Sequence, residues 1–173
     1  VYVTPLRALN RDILERVRKL CRGLGLSVAV RHGDSPRRER KIVLTNPPNI
    51  LITTPETLQV LVVNERFRKR ASNIKWVIID EVQDLVDSKR GIALSLALTR
   101  LRRINKRFKV IGLSAIPVSE EDFMMFLEEG SSYSFVDCIS TKKYDINIAL
   151  VENYAALLDL VAAYILEQGP ALV

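Results

Sequence analysis

The chain has 173 residues, 48% of them hydrophobic, enough for one full domain with its own core and part of a second. Lys and Arg number 26 against 20 Asp and Glu, a formal charge of +6, which favours polyanionic partners but singles out none. No apolar run approaches the roughly 18 residues of a membrane helix and no signal peptide is visible, so no membrane partner is expected. Cys21 and Cys138 lie far apart and match no metal spacing; they read as buried thiols of a reducing compartment, the cytoplasm by default. Both ends resemble interrupted strands, Val1-Tyr2-Val3 and Ala171-Leu172-Val173, so a piece of a longer protein is expected.

After the first short strand, Leu6, Leu9, Ile13, Val17 and Leu20 recur at helical spacing. Thr4 is expected to cap that helix, with Pro5 at its first position and Gly23 and Gly25 ending it. Leu26 to Val30 is β-rich and leads into the loop Arg31-His32-Gly33-Asp34. Ser35-Pro36 starts a charged helix, Arg37 to about Leu44; Asn49 to Thr53 reads as a strand; Thr54-Pro55-Glu56 begins a third helix through about Val63. A hydroxyl followed by proline thus opens three helices. Each is good capping chemistry, and each helix start also favours an anion.

The basic stretch Arg66 to Arg70 precedes Trp76-Val77-Ile78-Ile79, four bulky residues without polar alternation. Such a run predicts a strand buried on both faces of a parallel sheet. Asp80 and Glu81 end it, at the edge where open α/β sheets hold their ligands. Two carboxylates there suit a cation and an activated water, or simply cap the segment that follows. Leu94, Leu98, Leu101 and Ile104 line one face of the next helix. Lys109 to Leu113 reads as another buried strand, and Ser119 with Asp122 as a capping pair for a helix through about Glu128. Tyr133 to Ile139 is expected to close the first domain, with a boundary near Ser140. Beyond it come a strand over Asp145 to Val151 and a helix over Asn153 to Glu167 with Leu157, Val161 and Ile165 inward.

The set Thr4-Pro5-Leu6-Arg7-Ala8-Leu9, Arg31-His32-Gly33-Asp34, Thr53-Thr54-Pro55-Glu56, Asp80-Glu81-Val82-Gln83 and Leu113-Ser114-Ala115-Ile116 follows the motif order of superfamily 2 helicases over positions 4 to 116. With Ser88-Lys89-Arg90-Gly91 and the His-Gly-Asp loop it most resembles the large-helicase-related (Lhr-like) group. The resemblance implies an α/β fold with a RecA-like parallel sheet flanked by helices, a truncated P-loop NTPase fold over residues 1–140, and the beginning of a second RecA-like domain over residues 141–173. It implies an ATP-dependent helicase or translocase with ATP and Mg²⁺ as cofactors and DNA or RNA as partner, held as a single strand through its phosphates.

Carried over by position, Asp80 would hold Mg²⁺ through water, and Glu81 would position or activate the water that attacks the γ-phosphate. Arg7, Thr54 and the Gly33 loop would contact nucleic acid, although Arg7 also reads as a surface charge. Ser114, Ala115 and Ile116 would couple nucleotide state to domain movement. His32 reads as a loop residue rather than a metal ligand. Three departures stand out. The Gly-rich phosphate loop is absent, and the family expects it upstream of Val1. Gln83 stands where the Lhr-like pattern has His, exchanging a titratable ring for an amide. Ile116 replaces a Thr and removes a hydroxyl. The alternative is a degenerate module that keeps the fold to bind nucleic acid or a protein without ATP turnover.

Overall fold

In the computed structural model, five short strands form a single parallel sheet: β1 (Tyr2–Val3), β2 (Val28–Arg31), β3 (Ile50–Thr53), β4 (Trp76–Ile79) and β5 (Lys109–Gly112). The structure describes residues 1–5, 9–116, 118–127, 130, 132–136, 150–151 and 153–168. It divides into two compact units, Val1–Ser132 and Tyr133–Val173. The boundary expected near Ser140 and most of the strand expected over Asp145 to Val151 lie outside the described residues.

Spatial order in the sheet is β2-β3-β1-β4-β5. The step from β1 to β2 runs one way across the sheet and every later step runs the other way. Right-handed crossovers therefore put α1 (Leu9–Cys21) on one face, and α2 (Arg37–Thr45), α3 (Pro55–Val63), α4 (Glu65–Ala71) and α5 (Lys89–Ile104) on the other. The packing agrees, since α3 lies against α4 and α5, α2 against α4, and α1 against β2 and β3.

Register then decides which side chains are buried. Val3, Leu51, Val77 and Ile79 face α2 to α5 and join Leu58, Leu61, Leu94, Leu98 and Leu101 in one core. Full burial of each such side chain contributes on the order of 1.5–3 kcal/mol. The opposite face carries Ile52, which is buried, but also Trp76, which is 47% exposed, and Ile111. β4 and β5 are thus not buried on both faces as the apolar runs predicted, because the helix on that face covers β2 and β3. Lys109 sits instead over the Trp76 ring at 5.5 Å.

Helix ends show what the capping rules catch and miss. Thr54 caps α3 by accepting Thr57 N–H, Ser88 caps α5 by accepting Gly91 N–H, and Ser119 caps α6 (Glu120–Met124) by accepting Asp122 N–H. Ser35 does not cap α2; its Oγ accepts His32 N–H and closes the preceding loop. Thr4 Oγ1 is buried without a hydrogen-bond partner. The basic stretch is α4 itself, capped by the Asn64 side chain. Leu20, expected inward, is 76% exposed, and Cys21 takes the buried position. In the second unit, α7 (Tyr154–Gln168) follows Asn153, whose side chain accepts Ala156 N–H. No helix among the described residues is long and apolar enough to cross a membrane.

Candidate functional site

Because every strand is parallel, their carboxyl ends share one edge. Across it lie, in spatial order, the loop from His32 to Ser35, Thr54, Thr4, Asp80 with Glu81, and Leu113 to Ile116. The chain leaves β1 in one direction and β4 in the other, so the topological switch falls between them, beside Asp80.

Asp80 is half-buried and held from three sides. Its amide donates to Val3 O at 2.8 Å, its Oδ1 accepts Glu81 N–H at 3.1 Å, and its Oδ2 accepts the Tyr2 hydroxyl at 2.7 Å. Burial, and then the bond to Asp80, push the Tyr2 phenol well above its ordinary pKa, so it remains a neutral donor. Glu81 has φ 49, in the left-handed region, a conformation costing about 1–3 kcal/mol in a residue with a Cβ. Two backbone bonds impose it, Val82 N–H to Leu113 O at 3.0 Å and Leu113 N–H to Ile79 O at 2.8 Å.

Gln83 joins the acids to the end of β5. Its amide nitrogen donates to Glu81 Oε2 at 2.5 Å, and its amide oxygen accepts from Ser114 Oγ at 2.6 Å. Ser114 Oγ also lies 2.5 Å from Ile116 O. A hydroxyl has one proton, so the bonds from Ser114 to Gln83 and to Ile116 are alternatives. Side chains of Ala115 and Ile116 are exposed.

The β2 and β3 end is arranged differently. Gly33 is exposed in a turn closed by Ser35 N–H to His32 O at 3.1 Å. His32 Nδ1 accepts Asp34 N–H, and no grouping of three or more metal-binding side chains exists among the described residues. Thr54 is buried, with its hydroxyl committed to Thr57. Arg7 lies outside the described residues. Arg31, which the sequence marked only as the start of a loop, is buried at the end of β2. One of its nitrogens donates to Arg40 O at 3.4 Å while Nε has no partner. Desolvation, then the neighbouring Arg40 charge, lower its pKa.

A bidentate pair spans the two ends. Arg90 Nε donates to Glu56 Oε1 at 2.5 Å and Arg90 Nη2 to Glu56 Oε2 at 3.2 Å, tying the start of α5 to the start of α3. Burial alone would raise the Glu56 pKa, but the Arg90 bond and further hydrogen bonds bring it below the ordinary glutamate value. Sequence reading missed this pair and the Tyr2–Asp80 bond. Tyr2 carried no motif signal; only its register opposite Ile78, two residues before Asp80, would have placed it there.

Residues 1–123 match the family described as DEAD/DEAH box helicase. An ATP-dependent helicase Lhr-Core from Methanothermobacter thermautotrophicus is 40% identical over 189 residues, covering 99% of this chain and 21% of that protein. The Lhr helicase/uracil glycosylase of Escherichia coli is 37% identical, covering 73% of this chain and 9% of its own length. The chain therefore spans about a fifth or less of these relatives. Among solved structures, a Mycobacterium smegmatis helicase Lhr bound to ssDNA and AMP-PNP superimposes with TM-score 0.74 at 29% identity, over 94% of this chain and 25% of that one. A DEAD-box helicase Mss116 bound to ssRNA and UDP-BeF has TM-score 0.65 at 20% identity, over 72% and 27%, and shares the fold.

Proposed function

Since the chain belongs to the DEAD/DEAH box helicase family, among its Lhr-like members, we propose that it forms part of an ATP-driven motor on single-stranded DNA or RNA, with Asp80 and Glu81 serving hydrolysis. The observation that carries this reading is the arrangement of those two carboxylates. They stand side by side at the switch point, Asp80 fixed in orientation and Glu81 on a strained backbone with its carboxylate bonded to Gln83.

The donor set suits Mg²⁺. Asp80 offers hard carboxylate oxygen on a half-buried strand end, and with no group of three acidic, His or Cys side chains among the described residues, the remaining positions would fall to waters and nucleotide phosphates, the usual habit of this ion. When bound, the ion neutralises charge on the transferred phosphoryl group. Glu81 orients the attacking water and receives its proton. Gln83 restrains the Glu81 carboxylate and, through Ser114, ties its position to the segment ending at Ile116. Such a link suits transmission of nucleotide state, the role proposed for Ser114, Ala115 and Ile116.

Nucleic acid falls to the other end of the edge, where the exposed Gly33 turn and the start of α3 behind Thr54 are the proposed contacts; Arg7, outside the described residues, is a further proposed contact. Backbone amides and cations grip phosphates without reading bases. The net charge of +6 supports a polyanionic partner.

The test is Glu81→Gln in the intact protein. Nucleic-acid-stimulated ATP turnover should fall about 10²–10⁴-fold, the usual worth of a positioned general base, while nucleotide binding persists. Unchanged turnover would remove Glu81 from the chemistry and favour a module that binds without hydrolysing.

A further inference from the structure

We infer that Tyr2 is a positioning residue for Asp80, setting the plane of the carboxylate that faces the nucleotide's cation. The inference rests on the hydrolytic reading of Asp80 given above.

A carboxylate on a strand end rotates about χ2 unless both oxygens are occupied, because that torsion is broad and soft. Asp80 has both occupied. Glu81 N–H holds Oδ1 at 3.1 Å and the Tyr2 hydroxyl holds Oδ2 at 2.7 Å. The first bond is to the adjacent amide, in a backbone that is itself strained. The second comes from another strand, 78 residues away in sequence. Its origin is rigid: β1 is central in the sheet, bonded to β3 on one side and to β4 on the other, with Tyr2 in register with Ile52 and Ile78. Those pairings fix the backbone position from which the phenol reaches Asp80.

Donor chemistry matters as well. A phenol is neutral, so it fixes Asp80 without cancelling the charge a cation needs, whereas Lys or Arg here would compete with the metal. Each oxygen spends one lone pair on its donor and keeps another, so the carboxylate still has acceptor sites for a metal-bound water. Hydrogen bonds to charged groups are also the stronger kind, and this one is lost cleanly on removing a single oxygen atom.

The test uses the intact protein and a fluorescent non-hydrolysable ATP analogue, with affinity measured across a Mg²⁺ titration and in EDTA. Wild type should bind more tightly with Mg²⁺, and Asp80→Asn should lose that gain. Absence of any Mg²⁺ gain in wild type would overturn the hydrolytic reading itself, and the Tyr2 role with it. With the gain present, Tyr2→Phe should raise the Mg²⁺ concentration for half-maximal gain about tenfold while leaving affinity in EDTA unchanged, the latter a readout that general loosening of the fold would also move. An unchanged Mg²⁺ midpoint in Tyr2→Phe would overturn the inference while leaving the hydrolytic reading intact. 4-Aminophenylalanine placed at position 2 restores a neutral donor at the same reach and should recover the wild-type midpoint. Failure to recover would overturn the inference, because the shift in Tyr2→Phe would then not come from the missing donor.

Discussion

The two ends of the strand edge handle polar groups in opposite ways. From β1 to β5, Tyr2, Asp80, Glu81, Gln83 and Ser114 are tied in sequence, by side-chain bonds and, between Asp80 and Glu81, by the Glu81 amide. From the end of β2 to the end of β1, by contrast, Arg31 Nε and Thr4 Oγ1 are buried without partners, and the Gly33 turn is exposed. A closed network fixes geometry, which a phosphoryl-transfer site needs because positioning and electrostatics are most of its catalysis. Unspent buried donors cost stability, whereas the exposed Gly33 turn leaves backbone groups open to solvent. The proposed function would put chemistry at one end of this edge and grip at the other, with the Glu56–Arg90 pair between them.

That contrast can be broken at three points. The largest effect is expected from Asp80→Ala in the intact protein. ATP turnover should drop at least about 10²-fold, as several kcal/mol of charge stabilisation are lost. Affinity for single-stranded nucleic acid without nucleotide, with its slope against salt, should hold within about twofold. A parallel loss of strand binding would show that the two ends do not separate.

Gly91→Ala is next. A Cβ at Gly91 would meet the Leu85 carbonyl oxygen at 1.9 Å, so the turn between Glu81 and α5 must shift, at about 1–3 kcal/mol. Denaturant midpoints measure this, and an unchanged midpoint would mean that the turn yields freely.

The smallest effect belongs to the joining pair. Glu56 and Arg90 are both substantially exposed, so a double-mutant cycle should give about 0.2–1 kcal/mol. With the folded Glu56 pKa below its unfolded value, the contribution is present above the ordinary glutamate pKa and fades as pH falls through the lowered one. Coupling that persisted in acid would point to packing rather than charge.

Much of the fold was legible because its signals are local. Strands β2 to β5 follow apolar runs, and Thr54 and Ser119 sit where helix caps must sit. The acids were legible for the same reason, being two polar residues that end an apolar run. What stayed hidden depends on register and topology. Trp76 and Ile111 read as core because hydrophobicity says nothing about how many helices cover a face. Ser35 read as a cap because its hydroxyl could turn either way, toward α2 or back to His32. Tyr2 and Arg90 act on residues 78 and 34 positions away, distances at which a single sequence holds no pairing information.

The central strand has a consequence for how the molecule forms. β1 is two residues long and takes both neighbours from far along the chain, Ile52 and Thr53 on one side and Ile78 and Ile79 on the other. Contacts of such separation form late, after the loop entropy between them has been overcome. Chains in which β4 has not yet paired with β1 therefore lack the register that sets the Tyr2 hydroxyl against Asp80. If the edge binds nucleotide as proposed, binding would report completed folding.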